Sequence, residues 1–197
     1  TVIMDIIRSL RVALAARDIY THGHSREVNK YALILGEALG LPKEELVHLS
    51  RSALFHDIGK IGVSDKVLNK KGKLNKREWK EIKKHSEVGA EIIGHLHPLL
   101  HCKPAILYHH ERWDGTGYPT GLKGKEIPFG ARMLAIADAF TAMTSARPYR
   151  PAMSFQEAIL ELKRGAGKQF DPELAEVFVT EVEKLPALLP VLNLNPA

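Results

Sequence analysis

Cysteine is nearly missing from this chain. Cys102 is the only one in 197 residues, so no disulfide can form within it, which suits a reducing compartment and leads us to expect a cytoplasmic protein. No apolar stretch approaches the roughly 20 residues that a membrane-spanning helix needs. A secretory signal pattern is absent as well, since Arg8, Arg11 and Arg17 interrupt the first apolar segment. Segments with strand period never exceed a few residues, and no internal repeat appears. A dense basic stripe for duplex nucleic acid is also lacking. The net charge is only +5, from 28 basic and 23 acidic residues, and the most basic run, Lys66 to Lys84, is broken or flanked by Asp65, Glu78 and Glu81.

What is present is helical periodicity with clear punctuation. Residues 2–17 read as a helix with arginines among its apolar positions, and Asp18 to His24 as a junction. Ser25 to Leu39 places Val28, Tyr31, Ala32, Leu35 and Leu39 on one face. Gly40 suits the cap at its end, and Pro42 suits the first turn of a helix running through Leu46, Leu49 and Ala53 to His56-Asp57. Gly59 to Lys76 reads as loop or short helix. Asn75 with Glu78 forms a capping box, opening a helix that buries Ile82, His85, Gly89, Ile92, Ile93 and Leu96. A short helix after Pro104 leads to His109-His110. Residues 111–128 hold four glycines and two prolines and form a long loop, the kind that is usually functional. Gly130 to Met143 is a strongly apolar helix. Ser154 with Glu157 opens another, and Asp171-Pro172 starts the last, to about Lys184.

Several polar residues fall where the pattern is apolar. His56-Asp57 lies in the stretch Leu54-Phe55-His56-Asp57-Ile58-Gly59-Lys60, and burial of such a pair is costly without partners. His85 sits on a buried stripe, where a core histidine with one backbone hydrogen bond is the ordinary explanation. Adjacent His109 and His110 point about 100° apart on a helix, so both can face one centre only at a helix end or bend. Asp138 is flanked by Ala135, Ile136, Ala137, Ala139 and Phe140 and needs a strong partner, an arginine or a metal. Together with His24 these residues make seven candidate ligands if Asp57 bridges two ions, the arrangement that splits phosphate esters. Lys60, four residues after His56 and three after Asp57, is placed to hold a phosphate or a leaving oxygen.

The order H…HD…H…HH…D resembles the HD phosphohydrolase superfamily, and His109-His110-Glu111-Arg112-Trp113-Asp114-Gly115-Thr116-Gly117-Tyr118-Pro119 narrows the resemblance to its HD-GYP group. Thr21 to Ser25, Leu54 to Lys60, Lys84-His85, Ala137 to Phe140, Met143 to Ser145, Arg147 to Arg150 and Gln169 to Pro172 agree, so the likeness covers about residues 10–183. It implies an all-α bundle of about seven to eight helices around a binuclear metal site, within a catalytic domain over residues 18–185. Residues 1–17 would then be a helix linking to a sensor domain, and 186–197 a C-terminal tail. It further implies a phosphodiesterase that hydrolyses cyclic di-GMP to linear pGpG in bacterial signalling. His24, His56, Asp57 and Asp138 would hold one metal and Asp57, His85, His109 and His110 the other, iron or manganese. Lys60 would neutralise developing charge, Arg147, Arg150 and Tyr118 would contact substrate, and the Gly117-Tyr118-Pro119 loop would meet a protein partner. The N-terminal helix would pair with its copy in a homodimer. Some members carry a glutamate four residues before the first histidine and bind a third metal; Tyr20 stands there in this sequence, so two metals and pGpG are expected. The alternatives are a weakly active module that binds cyclic di-GMP or a partner, and a hydrolase of another cyclic dinucleotide.

Overall fold

The computed structural model describes residues 21–146 and 151–185, with the single positions 9 and 12. Apart from those two positions, the expected helix over 2–17 and its homodimer contact lie outside the described residues, as do Tyr20, Arg147, Arg150 and the tail 186–197. Among the described residues the chain is all helical. Its α-helices are α1 (Thr21–Ala38), α2 (Lys43–Phe55), α3 (Asp65–Leu68), α4 (Lys76–Lys83), α5 (His85–Gly94), α6 (Lys103–Tyr108), α7 (Phe129–Thr144), α8 (Phe155–Gly165) and α9 (Pro172–Val182). Short 3-10 segments cover Ile58–Gly62, His97–Cys102 and Gly124–Glu126.

Local chemistry sets most of these boundaries. Asn75 and Glu78 form the reciprocal capping box that opens α4, and Ser154 and Glu157 do the same for α8. Asp171 accepts from the Glu173 and Leu174 amides at 3.0 and 3.3 Å, capping α9 with Pro172 at its first position. Three expectations need correction. Thr21 to His24 belong to α1 rather than to a junction. Pro42 is the residue that precedes α2, outside its first turn. The single helix expected after Asn75 is two, broken at Lys84. The break has a visible cause: His85 Nδ1 lies 2.6 Å from the Ile82 carbonyl, the acceptor an unbroken helix would offer to residue 86.

Two cores frame the molecule. The larger joins α1, α7, α8 and α9 around Tyr31, Phe140 and Phe178, whose rings meet edge to face at 4.9 to 6.1 Å. The smaller gathers Phe55, Ile58, Ile93, Leu99, Cys102 and Ile106, and fastens the ends of α2 and α6 to α5. The turn after α2 lies directly on α5. A Cβ at Gly59 would strike the His85 carbonyl and the Gly89 amide, so only glycine lets the two backbones touch. That contact sets the distance between Asp57 and His85. Gly59→Ala is therefore expected to destabilise the protein by about 1–3 kcal/mol, the usual cost of overpacking, read as a lowered urea midpoint at unchanged m-value.

Candidate metal centre

His56, His85 and His109 share one local device. Each stands at a helix boundary and places Nδ1 against the carbonyl three residues back: His56 on Ala53 at 2.8 Å, His85 on Ile82 at 2.6 Å, His109 on Ile106 at 2.7 Å. A carbonyl can only accept, so each Nδ1 carries the hydrogen and donates it. In its neutral form each ring then presents a bare Nε2 inward, the arrangement of a metal-ligating histidine.

These inward nitrogens converge. His85 Nε2 lies 3.4 Å from His109 Nε2 and 3.2 Å from His110 Nε2. With both Nδ1 atoms protonated, no proton is left between His85 and His109, and two lone pairs face each other. Asp57 stands between this group and the next. Its Oδ1 is 3.5 Å from His85 Nε2, and its Oδ2 is 3.3 Å from His56 Nε2 and 2.7 Å from Lys60 Nζ. Beyond it, Asp138 Oδ1 is 2.9 Å from His24 Nε2 and 4.0 Å from His56 Nε2. Two sets of donor atoms, His85-His109-His110 and His24-His56-Asp57, are each gathered within 4.8 Å and could hold a metal ion.

The seven candidate residues thus lie together although they come from α1, the ends of α2 and α6, the start of α5 and the middle of α7. The adjacency of His109 and His110 is resolved as the helical geometry requires, since α6 stops at Tyr108 and His109 is its cap. Lys60 does not share a continuous helical face with His56 and Asp57. It sits on the 3-10 turn that follows, and reaches Asp57 from there.

The electrostatics differ between the two halves. Burial disfavours the charged form of His56, yet Asp57 and Asp138 outweigh it and hold its pKa up to about 9. Burial would raise Asp57, but the Lys60 ammonium and His56 pull it well below the usual carboxylate range. Burial is likewise overcome at Asp138 by the hydrogen bond from His24 and the charge of His56. On the other side burial wins. It lowers His85, lowers His109 well below its ordinary value with help from His110, and brings His110 down to about 4. One half is an anionic field around an imidazole nitrogen, and the other is a set of neutral imidazoles.

A divalent cation fits both. His56 is 1% exposed, and its Nε2 is buried without a hydrogen-bond partner while aimed at two carboxylates. The field that would draw a second proton onto that atom would equally draw a metal. The mixture of imidazole and carboxylate suits first-row transition ions.

Sequence reasoning missed the side chain that shapes the neighbouring loop. Glu111 is buried, and its carboxylate accepts from the Thr120 amide and hydroxyl at 2.7 and 2.9 Å and from the Gly121 amide at 2.9 Å. This closes residues 111–121 into a compact turn. A Cβ at Gly117 would meet the backbone of Glu111 and Arg112, so that position too is reserved for glycine. The closure brings Tyr118 over His110, ring centroids 4.8 Å apart, with its amide donating to the His110 carbonyl at 3.2 Å. Burial, then Asp57 and Asp138, raise the Tyr118 hydroxyl above its ordinary value, so it stays protonated. The only sequence signal for Glu111 was a carboxylate directly after the two histidines.

Known proteins resemble this chain over most of its length. The family model described as HD domain matches residues 8–174. A cyclic di-GMP phosphodiesterase of Thermotoga maritima is 37% identical over 179 residues, 90% of this chain and 49% of the relative. A 3'3'-cGAMP-specific phosphodiesterase of Vibrio cholerae is 35% identical over 181 residues, 92% of this chain and 39% of the relative. The chain thus spans half or less of the length of these relatives. The crystal structure of a cyclic GMP-AMP phosphodiesterase of V. cholerae superposes with a TM-score of 0.72 at 23% identity, over 98% of this chain and 53% of that one, which speaks to the fold. With the HD pair at the end of α2, the helical frame and the matched model in hand, the chain belongs to the HD domain family.

Proposed function

We propose that this chain is a metal-dependent phosphodiesterase that hydrolyses cyclic di-GMP to linear pGpG. The observation that carries the reading is Asp57, whose two oxygens face different sets of donor atoms, His56 on one side and His85 on the other. His24, His56, Asp57 and Asp138 would hold one divalent ion and Asp57, His85, His109 and His110 a second, with iron or manganese the expected metals. Bound there, the ions would polarise the phosphate oxygens of a diester and make a water more acidic. The remaining work falls to the chain. The three Nδ1 hydrogen bonds fix the rings with Nε2 inward before any ion arrives, which reduces the reorganisation that binding requires. Lys60, held 2.7 Å from Asp57, supplies positive charge where the oxygen of the breaking ester becomes anionic. Tyr118, its ring against His110, offers a protonated hydroxyl, and Arg147 and Arg150 follow as phosphate contacts from the family resemblance. The loop of Gly117, Tyr118 and Pro119 remains the proposed contact for a protein partner.

A second reading keeps the same chemistry with another substrate. The relative named for 3'3'-cGAMP is nearly as similar as the one named for cyclic di-GMP, 35% against 37% identity. Anaerobically purified, metal-loaded protein given cyclic di-GMP, 3'3'-cGAMP and cyclic di-AMP decides between them. Faster loss of cyclic di-GMP with pGpG as end product is expected. Preference for 3'3'-cGAMP would establish the second reading, and no hydrolysis of any of the three would overturn both.

Metal quantitation tests the ligand assignment. Wild-type protein is expected to hold about two ions per chain, Asp57→Asn close to none, and His85→Ala about half of the wild-type content. Unchanged content in His85→Ala would return that residue to an ordinary core histidine, and three ions per chain would contradict the inference from Tyr20.

Acid and alkali should act oppositely on chelator-treated protein. His110 has a folded pKa of about 4 against an ordinary 6.5, so the folded state binds fewer protons and loses stability as pH falls between those values. His56 has a folded pKa of about 9, so its contribution is complete below 6.5 and is lost as pH rises through 9. A urea midpoint highest near pH 6.5 and lower at pH 4.5 and pH 9.5 is expected, and the profile should flatten when metal is restored.

A further inference from the structure

The positive charge of the chain is concentrated in one place. Residues 66–84 hold nine basic and two acidic residues, whereas the rest of the chain holds 19 basic and 21 acidic. The segment is net +7 and the remainder net −2. From sequence alone Glu78 and Glu81 interrupt this run, but in the fold they do not. Glu78 folds back to accept from the Asn75 amide at 2.8 Å and from Lys70 Nζ at 2.7 Å, and Glu81 accepts from the Ser64 amide at 2.9 Å. Both carboxylates are spent on the start of α4 and on the segment before it. At 100° per residue, Lys76, Arg77, Lys80, Lys83 and the cap Lys84 fall within one arc of about 120° on α4. All five are exposed, and no acidic residue lies in the arc.

This face abuts the metal centre. Lys83 Nζ sits 4.9 Å above the Tyr118 ring, and Tyr118 in turn lies against His110. Lys84 lines a groove of about 430 Å³ together with Glu81, Gly59 and His85. A field of this sign beside the centre raises the capture rate of anions and is screened by salt.

We propose that the basic face of α4 is an approach surface that draws the dianionic cyclic dinucleotide to the centre, with Lys83 as its last contact before Tyr118. The inference rests on the phosphodiesterase reading. It separates capture from chemistry: α4 governs how fast substrate arrives, and the seven side chains of the candidate metal centre govern what happens to it.

The test compares two triple variants of equal net charge. Lys76→Glu, Arg77→Glu and Lys80→Glu reverse the face, whereas Lys30→Glu, Lys43→Glu and Lys103→Glu reverse exposed charges elsewhere. Association of fluorescent cyclic di-GMP is followed by stopped flow, and kcat and KM are measured from low to high salt. Reversal of the face is expected to lower the association rate and kcat/KM about tenfold at low ionic strength. The gap should close at about 1 M salt, where the screening length is roughly 3 Å, with kcat unchanged throughout. The control triple should change neither by more than about twofold, the scale of a net-charge effect alone. Equal losses in both triples, or a loss that persists at high salt, would overturn the proposal. Slow association in the face variant of a wild-type protein that binds but does not hydrolyse would sink the phosphodiesterase reading alone. Normal association alongside normal hydrolysis would sink the approach surface alone.

Discussion

Everything in this molecule answers to one constraint: imidazoles buried with their inner nitrogens facing one another. A buried nitrogen without a partner costs about 1–3 kcal/mol; His56 Nε2 is one, and the Nε2 atoms of His85 and His109 face each other with no proton between them. The fold tolerates them because the outer nitrogen of each critical ring is already tied to its own backbone three residues back. That tie also decides where helices stop. It occupies the carbonyl at the end of α2, at the break between α4 and α5, and at the end of α6. Helix ends and ring orientation are therefore one feature, and the donor set is a by-product of how three helices terminate.

The rest of the frame holds those ends in register. The smaller core supplies Phe55, Ile58 and Ile106, each within three residues of one of the tied histidines. The Gly59 contact on α5 then brings Asp57 opposite His85. Asp138 arrives separately, from the middle of α7, which the larger core of Tyr31, Phe140 and Phe178 presses against α1. The smaller core thus sets the three tied histidines and Asp57, while the larger brings Asp138 to His24.

What could be read from the sequence was what is local. The capping boxes at Asn75 and Ser154 and the Asp171-Pro172 start involve partners two or three residues apart, and the structure has them all. The apolar setting of Asp138 announced a carboxylate in need of a partner because its neighbours on the helix are visible in the string, and His24 supplies one at 2.9 Å. The break at Lys84 was not readable, since the apolar stripe of Ile82, Gly89 and Ile93 continues across it; only the reach of the His85 ring to a carbonyl reveals it. Glu111 was invisible for a related reason. Its partners Thr120 and Gly121 are nine and ten residues away in a loop whose closure they create. Gly59 gave no sign of its backbone contact, because the residues it touches lie 26 and 30 positions later. The convergence of seven distant side chains could be anticipated only through their ordered spacing along a known family pattern.

The loop over the centre is also held from behind. Trp113 and Asp114 donate their amides to the carbonyls of Gln169 and Lys168 at 3.2 and 2.8 Å. Arg132 pairs with Asp171, the residue that starts α9, while its guanidinium lies 6.0 Å from the Trp113 ring. All seven candidate donor side chains lie between residues 24 and 138, so the donor set is complete well before the fold is. The segment from α8 to α9 supplies no donor atom, yet it is the buttress for Tyr118 and its loop. The smallest piece that carries the donors is therefore shorter than the smallest piece that keeps their roof, and a domain boundary drawn by motif alone would cut through the support.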